Sequence, residues 1–152
     1  MKFLCVLVLT LSLTQGFNLK SCEKDVEGLV VSYSRAVIDW NLLIYYKQAI
    51  QEMGYALQFL GAALMDCNPL SVLFLEQSVL VMAGAEMTKF DGPVDDFTAL
   101  FDYVSDENCE EKLHLIHMNA QYYLDNNSGL QQTLQSLHDF MVTCRVSTTL
   151  TY

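Results

Sequence analysis

The cysteines are the residues of this sequence with the most definite chemistry, and they are better explained as bridges than as nucleophiles. Cys5 lies in an apolar segment at the start of the chain, whereas the other four are spread widely along it. An even number of cysteines in an exported chain indicates disulfide bonds. We therefore expect two disulfides among Cys22, Cys67, Cys109 and Cys144.

Helix geometry ranks the possible pairings. One unbroken helix over 109–144 would separate its end residues by roughly 50 Å, whereas a bridge requires Cα atoms about 4.4–6.8 Å apart. The sequence NNSG at 126–129 lies midway, so a turn there would bring Cys109 level with Cys144. The favoured pairing is thus Cys22–Cys67 with Cys109–Cys144, and the alternative is Cys22–Cys109 with Cys67–Cys144.

The tripeptide Asn126-Asn127-Ser128 also has the pattern that accepts an N-linked glycan. NNSG is a run of poor helix-interior residues, which favours a turn, and a turn is accessible to glycosylation. We therefore predict a glycan on Asn126 if the chain passes through a glycosylating secretory pathway.

The histidines could contribute to a zinc site if the turn at NNSG forms a helical hairpin. His114 and His117 share a helical face, and the hairpin would bring His138 and Asp139 near them. Imidazole nitrogens and a carboxylate are zinc ligands. However, His138 shares its face with glutamines, so we expect all three histidines to face outward and we predict no metal site.

The acidic residues between 102 and 111 have the oxygen ligands that calcium prefers, but their spacing matches no EF-hand loop. We expect a solvated surface instead. No nucleophile motif, zinc-protease motif or glycine-rich phosphate loop occurs in the chain. We therefore expect a protein without a cofactor that is not an enzyme. The acidic residues concerned are Asp102, Asp106, Glu107, Glu110 and Glu111.

The first residues have the features of a secretory signal peptide. Lys2 precedes an apolar run over 3–13, and small residues occupy the −1 and −3 positions of a cleavage site after Gly16. The run is far shorter than the roughly 20 residues that span a bilayer. We therefore expect a secreted chain, or one retained in the lumen of the secretory pathway. The predicted segments are a signal peptide over 1–16, a helical bundle over 17–145 and a C-terminal tail over 146–152.

The net charge of −10 excludes two classes of partner. An acidic chain repels the phosphates of nucleic acids and the head groups of anionic lipids. We therefore expect no nucleic-acid partner and no anionic membrane surface. Because half of the residues are apolar, the chain is expected to fold rather than to remain disordered.

Apolar residues recur three and four positions apart through most of the chain, which predicts an all-α fold. We expect a disulfide-stapled bundle of five or six helices built from helical hairpins. Ser21 and Ser128 are the expected N-caps of the first and last helices, with a break near 39–41. The helix that Pro69 begins is apolar nearly all round, so we expect it to be the buried centre. A short amphipathic segment is expected over 94–104.

The run LLIYY is difficult to bury, because five consecutive apolar residues cover every side of a helix. We predict that it contributes to a protein-binding surface, and that the protein acts in extracellular protein–protein interaction or in a structural role. The abundant aromatic and methionine residues leave a second hypothesis, a carrier of an apolar small molecule or lipid. The run consists of Leu42, Leu43, Ile44, Tyr45 and Tyr46.

In general character the chain resembles three families of exported helical proteins. Odorant-binding proteins share its acidity and disulfides, but their closely spaced middle cysteines are absent here. Saposin-like proteins share stapled hairpins but carry six cysteines, and four-helix cytokines share the size and the two bridges. The last resemblance implies a third hypothesis, a helical cytokine-like signal. None of the three supplies a motif, so no functional residue carries over.

Overall fold

The computed structural model describes residues 19–42, 45–67, 74–92 and 109–144. These ranges contain five α-helices and no strand, which confirms the all-α, disulfide-stapled fold. The predicted signal peptide and tail, the Pro69 helix start and the segment 94–104 lie outside the described residues. The helices are α1 (Leu19–Asn41), α2 (Tyr46–Cys67), α3 (Phe74–Thr88), α4 (Cys109–Asn126) and α5 (Leu130–Thr143).

Helices α1 and α2 form the first stapled hairpin. Cys22 and Cys67 are bridged, with Cα atoms 5.1 Å apart, as the favoured pairing predicts. At the other end, the ring of Trp40 meets Tyr46 edge-on, with centroids 5.3 Å apart. Helix α1 begins at Leu19, so Ser21 lies inside the helix and is not its N-cap.

Helices α4 and α5 form the second stapled hairpin. Cys109 and Cys144 are bridged, with Cα atoms 5.7 Å apart. The NNSG segment is the turn, where Asn127 has φ 53° and Gly129 has φ 93°. Gly129, rather than the predicted Ser128, is the N-cap of α5, and its carbonyl oxygen accepts a bond from the Thr133 amide at 3.1 Å.

Helix α2 is the centre of the described core, because it packs along both α1 and α3. We expected α3 to be the centre, and this prediction is wrong. Met82 of α3 is 58% exposed, since one side of α3 faces solvent. The buried residues of α2 are Ala49, Ile50, Met53, Gly54, Ala56, Leu57, Leu60, Gly61, Ala63, Leu64 and Cys67.

Helices α2 and α3 approach each other so closely that glycine is required on both. A Cβ added to Gly54 would lie 2.6 Å from the carbonyl oxygen of Gly84. A Cβ added to Gly84 would lie 2.5 Å from the carbonyl oxygen of Gly54. The contact is backbone against backbone, so neither helix can relieve it by a side-chain rotation.

Two further contacts fix the position of α3. The Gln51 amide donates to the carbonyl oxygen of Phe90 at 3.1 Å, which holds the end of α3 against α2. Toward the second hairpin, Tyr123 of α4 is buried, and this burial together with nearby Glu86 of α3 raises the pKa of the phenol. Helix α3 therefore joins the two stapled hairpins.

None of the helices within the described ranges is long and apolar enough to cross a membrane.

The close approach of α2 and α3 predicts the effect of one added methyl group. Gly84→Ala forces the helices apart, which costs about 1–3 kcal/mol, whereas alanine adds about 1 kcal/mol of helix propensity. The net change should lower the free energy of unfolding by up to about 2 kcal/mol. Urea unfolding followed by circular dichroism measures the change.

Gly92→Ala is the matched control, because its added Cβ would meet only the Phe90 ring, at an ordinary 3.5 Å. That variant should unfold at the same urea concentration as the parent protein. A Gly84→Ala protein as stable as the control would show that the two helices do not touch at this point.

Candidate functional site

The predicted surface over 42–46 is only partly exposed. Leu42 is 52% and Tyr45 is 40% exposed. Tyr46 is half-buried, because it packs against Trp40 and the core. Leu43 and Ile44 lie outside the described residues.

Helix α1 extends this surface with two more apolar side chains. Val31 and Ile38 are exposed, one heptad apart on one face of the helix, and Leu42 follows one turn later. We call these three residues the α1 strip. The exposed residues beside it include both Glu27 and Arg35, so its border carries both signs of charge.

Helix α4 carries a second exposed apolar face. Leu115, Met118 and Tyr122 are 40%, 53% and 54% exposed. Their spacing of three and four positions places them along one side of the helix, and we call them the α4 strip. Sequence reasoning missed this strip, because helical periodicity does not show which apolar residues of α4 a neighbouring helix covers.

An open groove runs beside the α4 strip, between α4 and α5, with a volume of about 500 Å³. Leu115 of the strip forms part of its wall. The Asp139 carboxylate on its border accepts a bond from Gln135 at 2.8 Å. The full lining is Leu115, Asn119, Gln131, Gln132, Gln135, Ser136 and Asp139.

The register across this hairpin follows from two contacts at the groove floor. The Asn119 amide donates to the carbonyl oxygen of Gln132 at 3.4 Å, and the Thr133 hydroxyl donates to the carbonyl oxygen of Asn119, also at 3.4 Å. These pairs agree with the level placement of Cys109 and Cys144. The disulfide therefore determines which side chains of α4 and α5 border the groove.

Among the Asp, Glu, Lys and Arg residues of the second hairpin, those that reach the surface are all acidic. Glu110, Glu111 and Asp125 are exposed, and Asp139 is half-buried. Lys112 is the one lysine or arginine between the two bridged cysteines, and only 2% of it is exposed. A molecule that approaches the α4 strip therefore meets apolar side chains with a negative border.

One histidine prediction is wrong. His138 does not face outward; it is buried, and its Nδ1 lies 2.6 Å from the Tyr33 hydroxyl of α1. The two rings are stacked, with centroids 5.8 Å apart. His114 is exposed as expected, and His117 is half-buried beside it, with ring centroids 5.9 Å apart. The buried histidine thus joins the second hairpin to the first.

The described ranges contain no group of three or more His, Cys, Asp or Glu residues arranged to hold a metal ion. Of the acidic cluster near 102–111, Glu110 and Glu111 lie exposed in the first turn of α4. There they interact favourably with the positive end of the helix dipole. Asp102, Asp106 and Glu107 lie outside the described residues.

Asn126, the predicted glycan acceptor, is exposed in the last turn of α4. Its side-chain amide donates to the carbonyl oxygen of Tyr122 at 3.0 Å.

We found no protein family, no curated protein and no solved structure that matches the chain.

The Tyr33–His138 contact predicts the effect of removing one hydroxyl. Tyr33→Phe should lower the free energy of unfolding by about 1–2 kcal/mol, because the buried imidazole loses a hydrogen-bond partner. Urea unfolding measures the loss. Tyr122→Phe, on an exposed tyrosine, is the control and should leave stability unchanged. Equal stability of both variants would mean that His138 does not depend on the Tyr33 hydroxyl.

Proposed function

We propose that this is a secreted, non-catalytic protein that binds another protein through the α4 strip and its groove. The observation that supports this most directly is an exposed apolar strip on a hairpin whose surface charges are all negative. Contiguous exposed apolar side chains are characteristic of interaction sites, whereas scattered ones are ordinary. Two disulfides support export, because such bonds persist in oxidising compartments.

The partner chemistry follows from the border of the strip. Leu115, Met118 and Tyr122 offer an apolar line along α4, which suits the apolar face of an amphipathic helix. Asp139 on the groove border and Glu111, one turn before Leu115 on α4, suit lysine or arginine on the edges of that helix. We therefore assign a cationic amphipathic segment of a partner protein to this surface.

The groove geometry favours a protein segment over an enclosed small molecule. Pockets that carry small molecules bury 70–90% or more of the ligand. The groove beside the α4 strip is open to solvent along its length, and so are the grooves at Lys20 and at Asp25. None of these three grooves has the enclosed shape that a small-molecule carrier needs, so they do not support the carrier hypothesis.

A designed peptide tests the proposal. A fluorescent helix of about 18 leucine and lysine residues should bind saturably, and an equivalent leucine and glutamate helix should not. Leu115→Gln with Met118→Gln should raise the dissociation constant of the cationic peptide at least about tenfold, because two apolar contacts are lost. Asp139→Asn should weaken it less and should reduce its salt dependence. Fluorescence anisotropy measures all three.

Ile38→Gln is the matched control, because Ile38 is an exposed apolar residue on the other hairpin. It should leave peptide affinity within about twofold of the parent protein. Loss of affinity in this variant, with the α4 variant unaffected, would move the binding surface to the α1 strip. Absence of saturable binding to the cationic peptide would contradict the proposed partner chemistry.

Glycosylation at Asn126 is part of the same proposal, since export exposes an accessible acceptor to the glycosylation machinery. The protein secreted by a eukaryotic host should lose mass when treated with an endoglycosidase. Ser128→Ala should abolish the glycan, because it removes the hydroxyl of the acceptor pattern and keeps Asn126. Intact-mass spectrometry measures both. A parent protein and a Ser128→Ala protein that differ by one oxygen atom alone would show that the site is unoccupied.

A further inference from the structure

Two pairs of carboxyl groups join α1 to α2. Asp25 of α1 is in hydrogen-bond contact with Asp66 of α2, close to the Cys22–Cys67 bridge. Asp39 of α1 is in hydrogen-bond contact with Glu52 of α2, close to the turn of the hairpin. We call the two pairs the carboxyl clasp. They lie about 21 Å apart along α1, so they join the helices near opposite ends.

One oxygen in each pair is buried and has no donor. Oδ2 of Asp25 and Oε2 of Glu52 are buried, and no N–H or hydroxyl group donates a hydrogen bond to either of them. A carboxylate can only accept hydrogen bonds, whereas a protonated carboxyl can also donate one. A proton on either carboxyl group of a pair therefore allows a hydrogen bond between the two groups. Without it, two negative charges face each other between packed helices, which is unfavourable.

We infer that the carboxyl clasp is a contact between α1 and α2 that is stabilised by acid. Each pair holds one proton, and the contact weakens when the protons leave. The inference is independent of the proposed binding surface, which lies on the second hairpin. Its physical basis is the arrangement found where two carboxyl groups share one site, where they cannot both be ionised.

The charges around the clasp do not neutralise it. The charge of Lys24 lowers the pKa of Asp25, and the charge of Arg35 lowers the pKa of Glu52. In each case this effect is smaller than the rise caused by burial and by the second carboxyl group. From α3, Val81 borders the groove beside Asp25, together with uncharged residues of α2. From α5, His138 meets α1 at Tyr33, between the two pairs. Each pair thus has one nearby cation, whose effect is too small to replace the shared proton.

The titration of the two groups agrees with this geometry. Burial, followed by the contact with Asp66, raises the pKa of Asp25 to about 7. Burial, followed by the contact with Asp39, raises the pKa of Glu52 to about 7. The ordinary values are 3.8 and 4.5. A group whose pKa is raised by folding stabilises the fold fully below its ordinary value, and this contribution is lost as pH rises through the raised value.

Denaturant unfolding of the oxidised protein at about pH 5 and about pH 7.5 tests the inference. As pH rises from the ordinary to the raised pKa of a pair, that pair should increase the unfolding equilibrium constant by up to about tenfold per pH unit. Screening by water reduces that figure. Asp66→Asn with Asp39→Asn should flatten the profile, because an amide donates the missing hydrogen bond without a proton. This variant should therefore be more stable than the parent at the higher pH.

Glu23→Gln with Glu27→Gln is the matched control, because it removes two exposed carboxylates from α1 and changes the net charge equally. The control should keep the parent's pH profile. A profile that flattens equally in both variants would assign the effect to general charge repulsion and overturn the inference.

Carboxyl carbon chemical shifts measured by NMR give a second readout, which does not depend on the stability of any variant. Asp25 and Glu52 of the parent protein should titrate near neutral pH. Midpoints near 4 for both groups would overturn the inference as well.

Discussion

The bridge between Cys22 and Cys67 is the constraint on which the rest of the first hairpin depends. It fixes the register of α1 against α2 at one end, and every later contact follows from that register. As α1 advances from Asp25 to Asp39, α2 runs back by the same number of residues, from Asp66 to Glu52. In the chain-entropy description, such a bridge stabilises the fold by about 3–4 kcal/mol, because it restricts the unfolded chain.

The second hairpin uses the same device for a different result. Its bridge also aligns two antiparallel helices, but only one side of α4 is needed to contact α3 and α5. The opposite side retains Leu115, Met118 and Tyr122 in solvent, on a hairpin whose surface charges are negative. The first hairpin thus contributes α2 to the centre of the described core, and the second contributes both buried residues and the α4 strip.

The sequence predicted the features that depend on local rules. Helical periodicity indicated the all-α fold, and the distance limits of a disulfide ranked the pairing that the structure contains. The failures concern features that a neighbouring helix decides. His138 shares a face with glutamines, yet α1 covers it and supplies the Tyr33 hydroxyl. The exposure of Met82 has the same cause, since α3 has neighbours on only part of its circumference.

The candidate site was predicted in kind but not in place. Of the three LLIYY residues that the structure describes, two are exposed, whereas the α4 strip became evident only when the packing of α4 was known. The carboxyl clasp could not be read from sequence, because its members are far apart along the chain. In each case the missing information was which helices touch, and at what register.

The burial of Lys112 has a consequence for the resistance of the second hairpin to proteolysis. Trypsin-like proteases cut after lysine or arginine in extended, accessible chain. Between the bridged cysteines of the second hairpin they meet one such residue, and it is buried in the first turn of α4. Even after a cut there, the bridge would keep both fragments attached. The surface that we assign to partner binding therefore lies on a segment that offers enzymes of this class no exposed cleavage site.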